Sequence, residues 1–261
     1  MARGYADVTG VPLDETNLRE FYSDYWDSRS DNAIWGPANR HLRRIIRKLL
    51  DGIDYRSVLD VGCGVGVLVS ELKEAKSDLV VYGLDISAAA IEVANTMVQG
   101  DFRTCDVTDG LPDLSVDAVV CCEVLEHLPD DEALLRDLAR KCTYLVVEVP
   151  AGPLTRTFRQ GGHLRHYTVA GLKKMLTQTG FDVLELRKWG FPLLSIYRRV
   201  MDTLSESQVL GTYGRGKKLV CQLVYLAYYV NCFNAGDCLF ALARSRAKLA
   251  QAADGQTSKE P

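Results

Sequence analysis

Four short acid-bearing segments carry the chemistry this sequence offers, and they follow one another in a fixed order. The first is Val58-Leu59-Asp60-Val61-Gly62-Cys63-Gly64-Val65-Gly66, an apolar run that ends in an acid and three alternate glycines. Glycines let a backbone come close to a ligand, and a helix starting just beyond them offers free N–H donors. Dinucleotide-binding chains use glycines at the same place with GxGxxG spacing, so the glycines alone leave the ligand open. Here the spacing is GxGxG and Asp60 precedes it. A buried carboxylate at that point repels a pyrophosphate and suits a cation.

S-adenosylmethionine is such a ligand, with an ammonium and a sulfonium. The second segment, Val80-Val81-Tyr82-Gly83-Leu84-Asp85-Ile86, ends an apolar run in another acid. A carboxylate at a strand tip can accept from both ribose hydroxyls, as it also would for NAD. Capping the next helix is the competing role for Asp85. The third segment, Arg103-Thr104-Cys105-Asp106-Val107, places an acid that can accept from an adenine amino group beside an N–H for a ring nitrogen. With Asp101 and Asp109 nearby, a turn residue is the other reading of Asp106. The fourth segment is Cys121-Cys122-Glu123-Val124-Leu125-Glu126-His127-Leu128-Pro129.

Taken in order, DVGCGVG, LD, CD and CEVLEHLPD resemble the small-molecule branch of class I S-adenosylmethionine-dependent methyltransferases. The pattern is nearest to the ubiquinone-biosynthesis O-methyltransferases and to sugar and natural-product enzymes. The resemblance covers roughly residues 38–190 plus the last strand. It implies that Asp60, Gly62, Gly64 and Gly66 surround the methionine half of the cofactor. It places Asp85 and Ile86 at the ribose, Asp106 and Val107 at the adenine, and backbone near Cys122 against the cofactor. Arg40 would meet the methionine carboxylate, and S-adenosylhomocysteine would be the product. Tyr22 or Trp26 could close over the sulfonium, since aromatic rings attract cations. Core packing is the alternative for both.

Methyl transfer is an in-line displacement, so the protein positions the acceptor and, for a hydroxyl, removes a proton. Amino-methylating enzymes of nucleic acids and glutamine often carry Asn/Asp-Pro-Pro-Tyr after the fourth strand. This chain has Cys122-Glu123-Val124-Leu125 there, which favours an oxygen acceptor. Histidine is the natural base near neutral pH. Of the four present, His127, His163 and His166 fall where the resemblance puts the active site. His127 could equally start a helix. His163 and His166 lie in Gly161-Gly162-His163-Leu164-Arg165-His166-Tyr167-Thr168, similar to the GHxRxYT loop of methyltransferases from glycan and secondary-metabolite pathways. A Gly-Gly hinge before such a cluster reads as a lid. A helix entry with a hydrogen-bonded histidine competes with that reading. N- or C-methylation, a catalytically silent partner subunit and a nicotinamide oxidoreductase are the other functions weighed. GxGxG and Asp60 count against the last.

The elements that must hold these residues follow from the hydropathy pattern. Apolar runs at 57–61, 79–84, 102–105, 116–122 and 144–149 alternate with helical periodicity at 67–75, 87–98 and 130–140. Runs without polar alternation, separated by helices, make a parallel sheet covered on both faces. A helix over 38–51 precedes them, with arginines away from its apolar stripe, and another over 14–26 precedes that. After a loop at 151–167 come a helix over 168–179 and a strand over 181–189. The expectation is an α/β, Rossmann-like, doubly wound, mostly parallel seven-stranded sheet with an antiparallel last strand and a helical cap insert. The expected organisation is an N-terminal arm and cap helix over 1–37 and a cofactor-binding core over 38–190. A helical substrate cap follows over 191–234, then the last core strand over 235–248 and a disordered tail over 249–261.

Composition bounds the rest. The 261 residues are 47% hydrophobic and 25% charged, with net charge −3, which argues against a dedicated nucleic-acid binder. Eight cysteines without a CxxC pair read as reduced core thiols, so no metal is expected, and the chain reads as cytoplasmic. The cap insert offers Phe191, Tyr197, Tyr213, Tyr225, Tyr228 and Tyr229 as an acceptor pocket. Its Gly214-Arg215-Gly216-Lys217-Lys218 followed by an apolar helix could instead touch a membrane through 214–233. A homodimer face is the further alternative. The expected partner is a small-molecule or glycan-like acceptor.

Overall fold

The computed structural model describes residues 31–201, 212–232 and 234–249. The helix expected over 14–26, with Tyr22 and Trp26, lies outside the described residues, as does the tail from 250. Seven strands form one sheet: β1 (Ser57–Val61), β2 (Val80–Asp85), β3 (Asp101–Thr104), β4 (Val116–Cys122), β5 (Cys142–Pro150), β6 (Phe181–Trp189) and β7 (Cys238–Ser245). Their order is β3-β2-β1-β4-β5-β7-β6. Strands β1 to β5 pair in parallel. Strand β7 runs antiparallel between β5 and β6. The chain winds outward through β2 and β3 and then returns to the other side of β1. That reversal opens a crevice at the carboxyl ends of β1 and β4, where open α/β sheets bind ligands.

Helices cover both faces. The helices α1 (Pro37–Leu50), α2 (Val67–Ala75) and α3 (Ala88–Met97) bury Leu42, Ile46, Val69, Leu72, Ile91 and Ala94 on one side of the sheet. On the other side α4 (Asp131–Lys141) and α6 (Val169–Gln178) bury Leu134, Leu135, Leu138, Leu172 and Leu176. Local chemistry sets the helix starts. The side chains of Ser87, Asp130 and Thr168 accept from the amides of Ala90, Ala133 and Gly171. Helix α4 also carries Asp131 and Glu132 in its first turn and Arg140 and Lys141 in its last, which complements its dipole.

Two segments differ from expectation. The 151–167 loop contains a short helix, α5 (Arg156–Gln160). The 191–234 insert holds α7 (Leu193–Met201) and α8 (Arg215–Ala227), and α8 packs on α1 rather than over the strand tips.

Gly83, in the middle of β2, shows how tightly the first layer packs. A Cβ there would lie 2.4 Å from Phe102 Cδ1 and 2.8 Å from Cys63 Sγ. Both neighbours are buried and cannot swing away. Gly83→Ala is therefore expected to cost about 1–3 kcal/mol of stability by overpacking. Guanidinium denaturation of the variant measures it, and an unchanged midpoint would contradict this packing.

Candidate functional site

The crevice at the β1/β4 reversal is a cavity of about 470 Å³, within the usual range for small-ligand sites. Its first half is built by β1, β2 and the turns after them. The amides of Gly62 and Cys63 both donate to the Leu84 carbonyl, at 2.7 and 3.0 Å, which folds the glycine turn back over β2. Gly64 N–H then donates to Asp85 Oδ2 at 2.8 Å, and Ser87 N–H to Asp85 Oδ1 at 2.9 Å. Asp60, Gly62, Asp85, Ile86, Asp106, Val107 and Cys122 all line the cavity.

Asp60 is buried, and that burial together with the charge of Asp85 pushes its pKa up to about 8. Burial also raises Asp85, opposed by the amides of Ser87, Gly64 and Ile86. Two buried carboxylates side by side form a site for positive charge. Asp85 does not cap α3; Ser87 does. With about four acceptor sites, the Asp85 carboxylate keeps capacity for a further donor beside these amides. Asp106 accepts from the amide and hydroxyl of Thr108 through Oδ1. It is thus a turn residue and a cavity residue at once.

Several expected residues sit elsewhere. Only Gly62 of the three glycines lines the cavity. Gly64 is committed to Asp85, while Gly66 opens α2 at φ +80° and faces Ala94 Cβ, which a Cβ would approach to 3.1 Å. Arg40 points away: its Nη1 donates to Gln222 Oε1 at 2.9 Å and its guanidinium lies over the Tyr225 ring. Arg43, on the other face of α1, reaches the cavity in its place. It is fixed by Glu71 and by the carbonyls of Ala33 and Ile34. The signal was present, since Asn39, Leu42, Arg43 and Ile46 share one helical stripe. Phe191, Tyr197, Tyr213, Tyr225, Tyr228 and Tyr229 do not line the cavity; among the described residues of the insert only Arg198 does. For Tyr225, Tyr228 and Tyr229 the reason is the packing of α8 and the turn after it on α1.

The second half of the cavity is lined by Glu123, His127, Thr157, Phe158, Gly161, His163 and Arg198. Glu123 adopts φ +54°, a strained left-handed conformation for a non-glycine residue, just past the β4 tip. The loop read as a lid is tied to the core. Leu164 N–H donates to the Glu126 carbonyl, Tyr167 N–H to the Pro150 carbonyl, and Tyr167 Oη to Asp131 Oδ2. Arg165 also pairs with Asp131 at 3.0 Å. His166 stands behind His163 rather than in the cavity wall. Its Nδ1 lies 2.8 Å from the Gly152 carbonyl and its Nε2 lies 3.2 Å from His163 Nδ1. A carbonyl only accepts, so His166 carries its proton on Nδ1 and accepts on Nε2. His163 must then donate from Nδ1, leaving its Nε2 lone pair for another group. Burial, followed by the nearby His127, His166 and Arg198, lowers His163 to about 2 and keeps it neutral.

Sequence reasoning passed over three glutamates. Glu126 and Glu148 are fully buried, and burial followed by the charge of Glu123 holds both well above the usual carboxylate range. Cys122 Sγ donates to Glu148 Oε2 at 3.4 Å. The two acids of CEVLEHLP, three residues apart at a strand tip, were the visible sign. Cysteine spacing alone had set the expectation of no metal. The fold nevertheless brings Glu126, His127 and His163 together with ligand atoms within 4.8 Å of one another. One carboxylate and two imidazoles form a set that divalent metals accept.

Comparison with known proteins agrees with this geometry. A family model described as a methyltransferase domain matches residues 34–186. The ubiquinone biosynthesis O-methyltransferase of Vibrio campbellii is 27% identical over 200 residues, covering 67% of this chain and 83% of that protein. The protein of the same name from Nitrosomonas europaea is 31% identical over 144 residues, 51% of this chain and 60% of its own length. Among solved structures, magnesium protoporphyrin IX methyltransferase from Synechocystis with bound S-adenosylmethionine aligns with TM-score 0.57 and 19% identity. It covers 89% of this chain and 98% of that one. The N-methyltransferase NodS of Bradyrhizobium japonicum with S-adenosylhomocysteine aligns with TM-score 0.52 and 15% identity, over 80% and 87%. With the model matched from the helix before β1 through most of β6, the chain belongs to the methyltransferase-domain family, as a class I S-adenosylmethionine-dependent methyltransferase.

Proposed function

We propose that this chain transfers the methyl group of S-adenosylmethionine to a hydroxyl oxygen of a small acceptor, of the sugar or natural-product kind. The observation that carries the reading is the continuity of one cavity, with an acidic half at Asp60, Asp85 and Asp106 and a histidine half at His127 and His163. The donor set fits a cationic nucleoside. Asp60 and Asp85 face positive charge and ribose hydroxyls, and Asp106 with Val107 faces a purine edge. At Gly62 a Cβ would strike Val124 Cγ2 at 2.4 Å, so the turn admits only a bare backbone beside the ligand. S-adenosylmethionine supplies a methyl group on a positively charged sulfur.

The chain's own residues do the remainder. Arg43 offers a fixed guanidinium to a carboxylate at the α1 side. His163 Nε2 accepts the hydrogen bond of the acceptor hydroxyl. As the oxygen–carbon bond forms and the carbon–sulfur bond breaks, that hydroxyl becomes strongly acidic, so even an imidazole lowered to about 2 can take its proton, which then passes to solvent. His166 positions His163 by fixing its tautomer. Names of the curated relatives, all O-methyltransferases here, also favour oxygen. No helix among the described residues is long and apolar enough to cross a membrane. We place the chain in the cytoplasm because none of its eight cysteines forms a disulfide. A second reading has one observation behind it. A divalent cation held by Glu126, His127 and His163 would orient the acceptor oxygen and ease its deprotonation.

Three outcomes test this. Asp85→Ala should weaken S-adenosylmethionine binding by about tenfold or more, roughly 1.4 kcal/mol. Calorimetry reads it, and unchanged affinity would displace the ribose site. His163→Ala should lower the rate of methyl transfer to a responsive sugar or phenol by about a hundredfold or more. Calorimetric cofactor affinity should be retained. If chelator dialysis abolishes wild-type transfer and added metal restores it, the metal reading replaces the base reading. The third outcome concerns pH. Asp60 has a pKa of about 8 in the empty cavity, so it is mostly protonated at neutral pH. A cationic ligand favours its ionised form, so binding releases a proton and affinity climbs as pH rises toward about 8. Calorimetry in buffers of different ionisation enthalpy counts that proton; no release at pH 7 would argue against Asp60 as the partner of the cation.

A further inference from the structure

Helix α8 is poorly buried for an apolar helix. Only Cys221 of its thirteen residues is buried. Leu219 is 61% exposed, Val220 57% and Leu223 59%, and Leu226 and Val230 are also more than half exposed. Residues 219, 223, 226 and 230 recur at helical spacing, so they form one continuous stripe. Helix α7 packs beside the end of α8 and adds exposed Ile196, Tyr197 and Val200. Single exposed apolar residues need no explanation, but a contiguous stripe of this size marks an interaction surface.

The helices that bear and flank the stripe contain no acid and supply Arg40 and Arg44 from α1, Arg199 from α7 and Arg215, Lys217 and Lys218 from α8, in a chain of net charge −3. Arg43 and Arg198 face the cavity instead, and Asp31, which accepts from the Tyr213 amide, is an acid at one end. Asp202 and Glu206, between α7 and α8, lie outside the described residues. Arg40 and Arg44 lie over the rings of Tyr225 and Tyr229 along the α1 flank of the stripe. Lys217 and Lys218 lie over Tyr213 and Trp35 at its beginning. An apolar stripe rimmed by tyrosines and cations is the composition of a helix lying in a membrane interface. A thirteen-residue helix cannot span a bilayer. Self-association through a twofold axis would set this cationic rim against its own copy, so a second chain is the poorer fit.

We propose that α7 and α8 dock the protein peripherally on an anionic lipid bilayer, with Leu219, Leu223 and Leu226 entering the headgroup boundary and the basic rim meeting lipid phosphates. This holds whatever the methyl acceptor is. Sedimentation of the full chain with phosphatidylcholine vesicles, with and without phosphatidylglycerol, tests it. Binding is expected to the anionic vesicles only. It should weaken as salt rises from about 0.1 M to about 1 M, where the screening length drops from about 10 Å to about 3 Å. The Leu219→Glu, Leu223→Glu double variant should lose at least about tenfold in lipid affinity, while melting temperature and S-adenosylmethionine binding stay unchanged because both side chains are already exposed. Three results would overturn the proposal: no sedimentation with anionic vesicles, equal binding to neutral ones, or a lipid-indifferent dimer that the double variant dissociates.

Discussion

The bond from Gly64 N–H to the Asp85 carboxylate joins the turn after β1 to the tip of β2 across the sheet. Its strength comes from its setting. Both groups are buried, where a hydrogen bond is electrostatically stronger than in water. The bond fixes where the turn ends, and so where α2 begins and how closely α2 lies against α3. The same carboxylate accepts the Ser87 amide and thereby sets the entry to α3. One acid thus locks two strand–helix junctions, and the cavity exists because those junctions cannot close onto each other. The residue that organises the local fold also lines the cavity.

Placing acids at strand tips has an electrostatic consequence. Asp60, Asp85, Glu126 and Glu148 all sit where water is excluded, and burial raises the pKa of each. The group on the β4 and β5 side is balanced by Arg198, itself raised by its acidic surroundings. The Asp60 and Asp85 side has no cation of that depth among the cavity residues except Arg43, which is already paired with Glu71. One end of the cavity is therefore internally compensated and the other is left acidic. That asymmetry leaves the acidic end of the cavity suited to positive charge.

Most of the sheet was legible because a parallel strand buried on both faces leaves an unmistakable apolar run. The runs at 57–61 and 116–122 coincide with β1 and β4. The position of Asp60, Asp85 and Asp106 at the cavity was legible because strand tips point acids at the crevice by topology alone. Arg40 was misplaced because the choice between it and Arg43 depends on which face of α1 meets the cavity, and both faces carry arginines. The insert was misjudged for a similar reason. Aromatic content says that Tyr225 and Tyr228 pack against something, but only the three-dimensional path of α8 says that the something is His41 and Trp189. Glu126 and Glu148 escaped notice because a buried acid looks in sequence like a solvated one.

Helix α1 joins these separate themes. One stripe of it, Asn39, Leu42, Arg43 and Ile46, forms a wall of the cavity. The opposite stripe, Arg40, His41 and Arg44, receives α8 and its tyrosines. His41 is fully buried between the two, with its Nε2 on the Tyr225 carbonyl and its pKa lowered to about 4 by burial, so it acts as a neutral wedge. The wedge fixes how far α8 stands from the sheet. Because α1 is one rigid element, the exposed stripe of α8 and the cavity wall hold a set relation to each other. A surface that docks through α8 therefore presents the cavity in one orientation, and it does so without any residue of that surface entering the site.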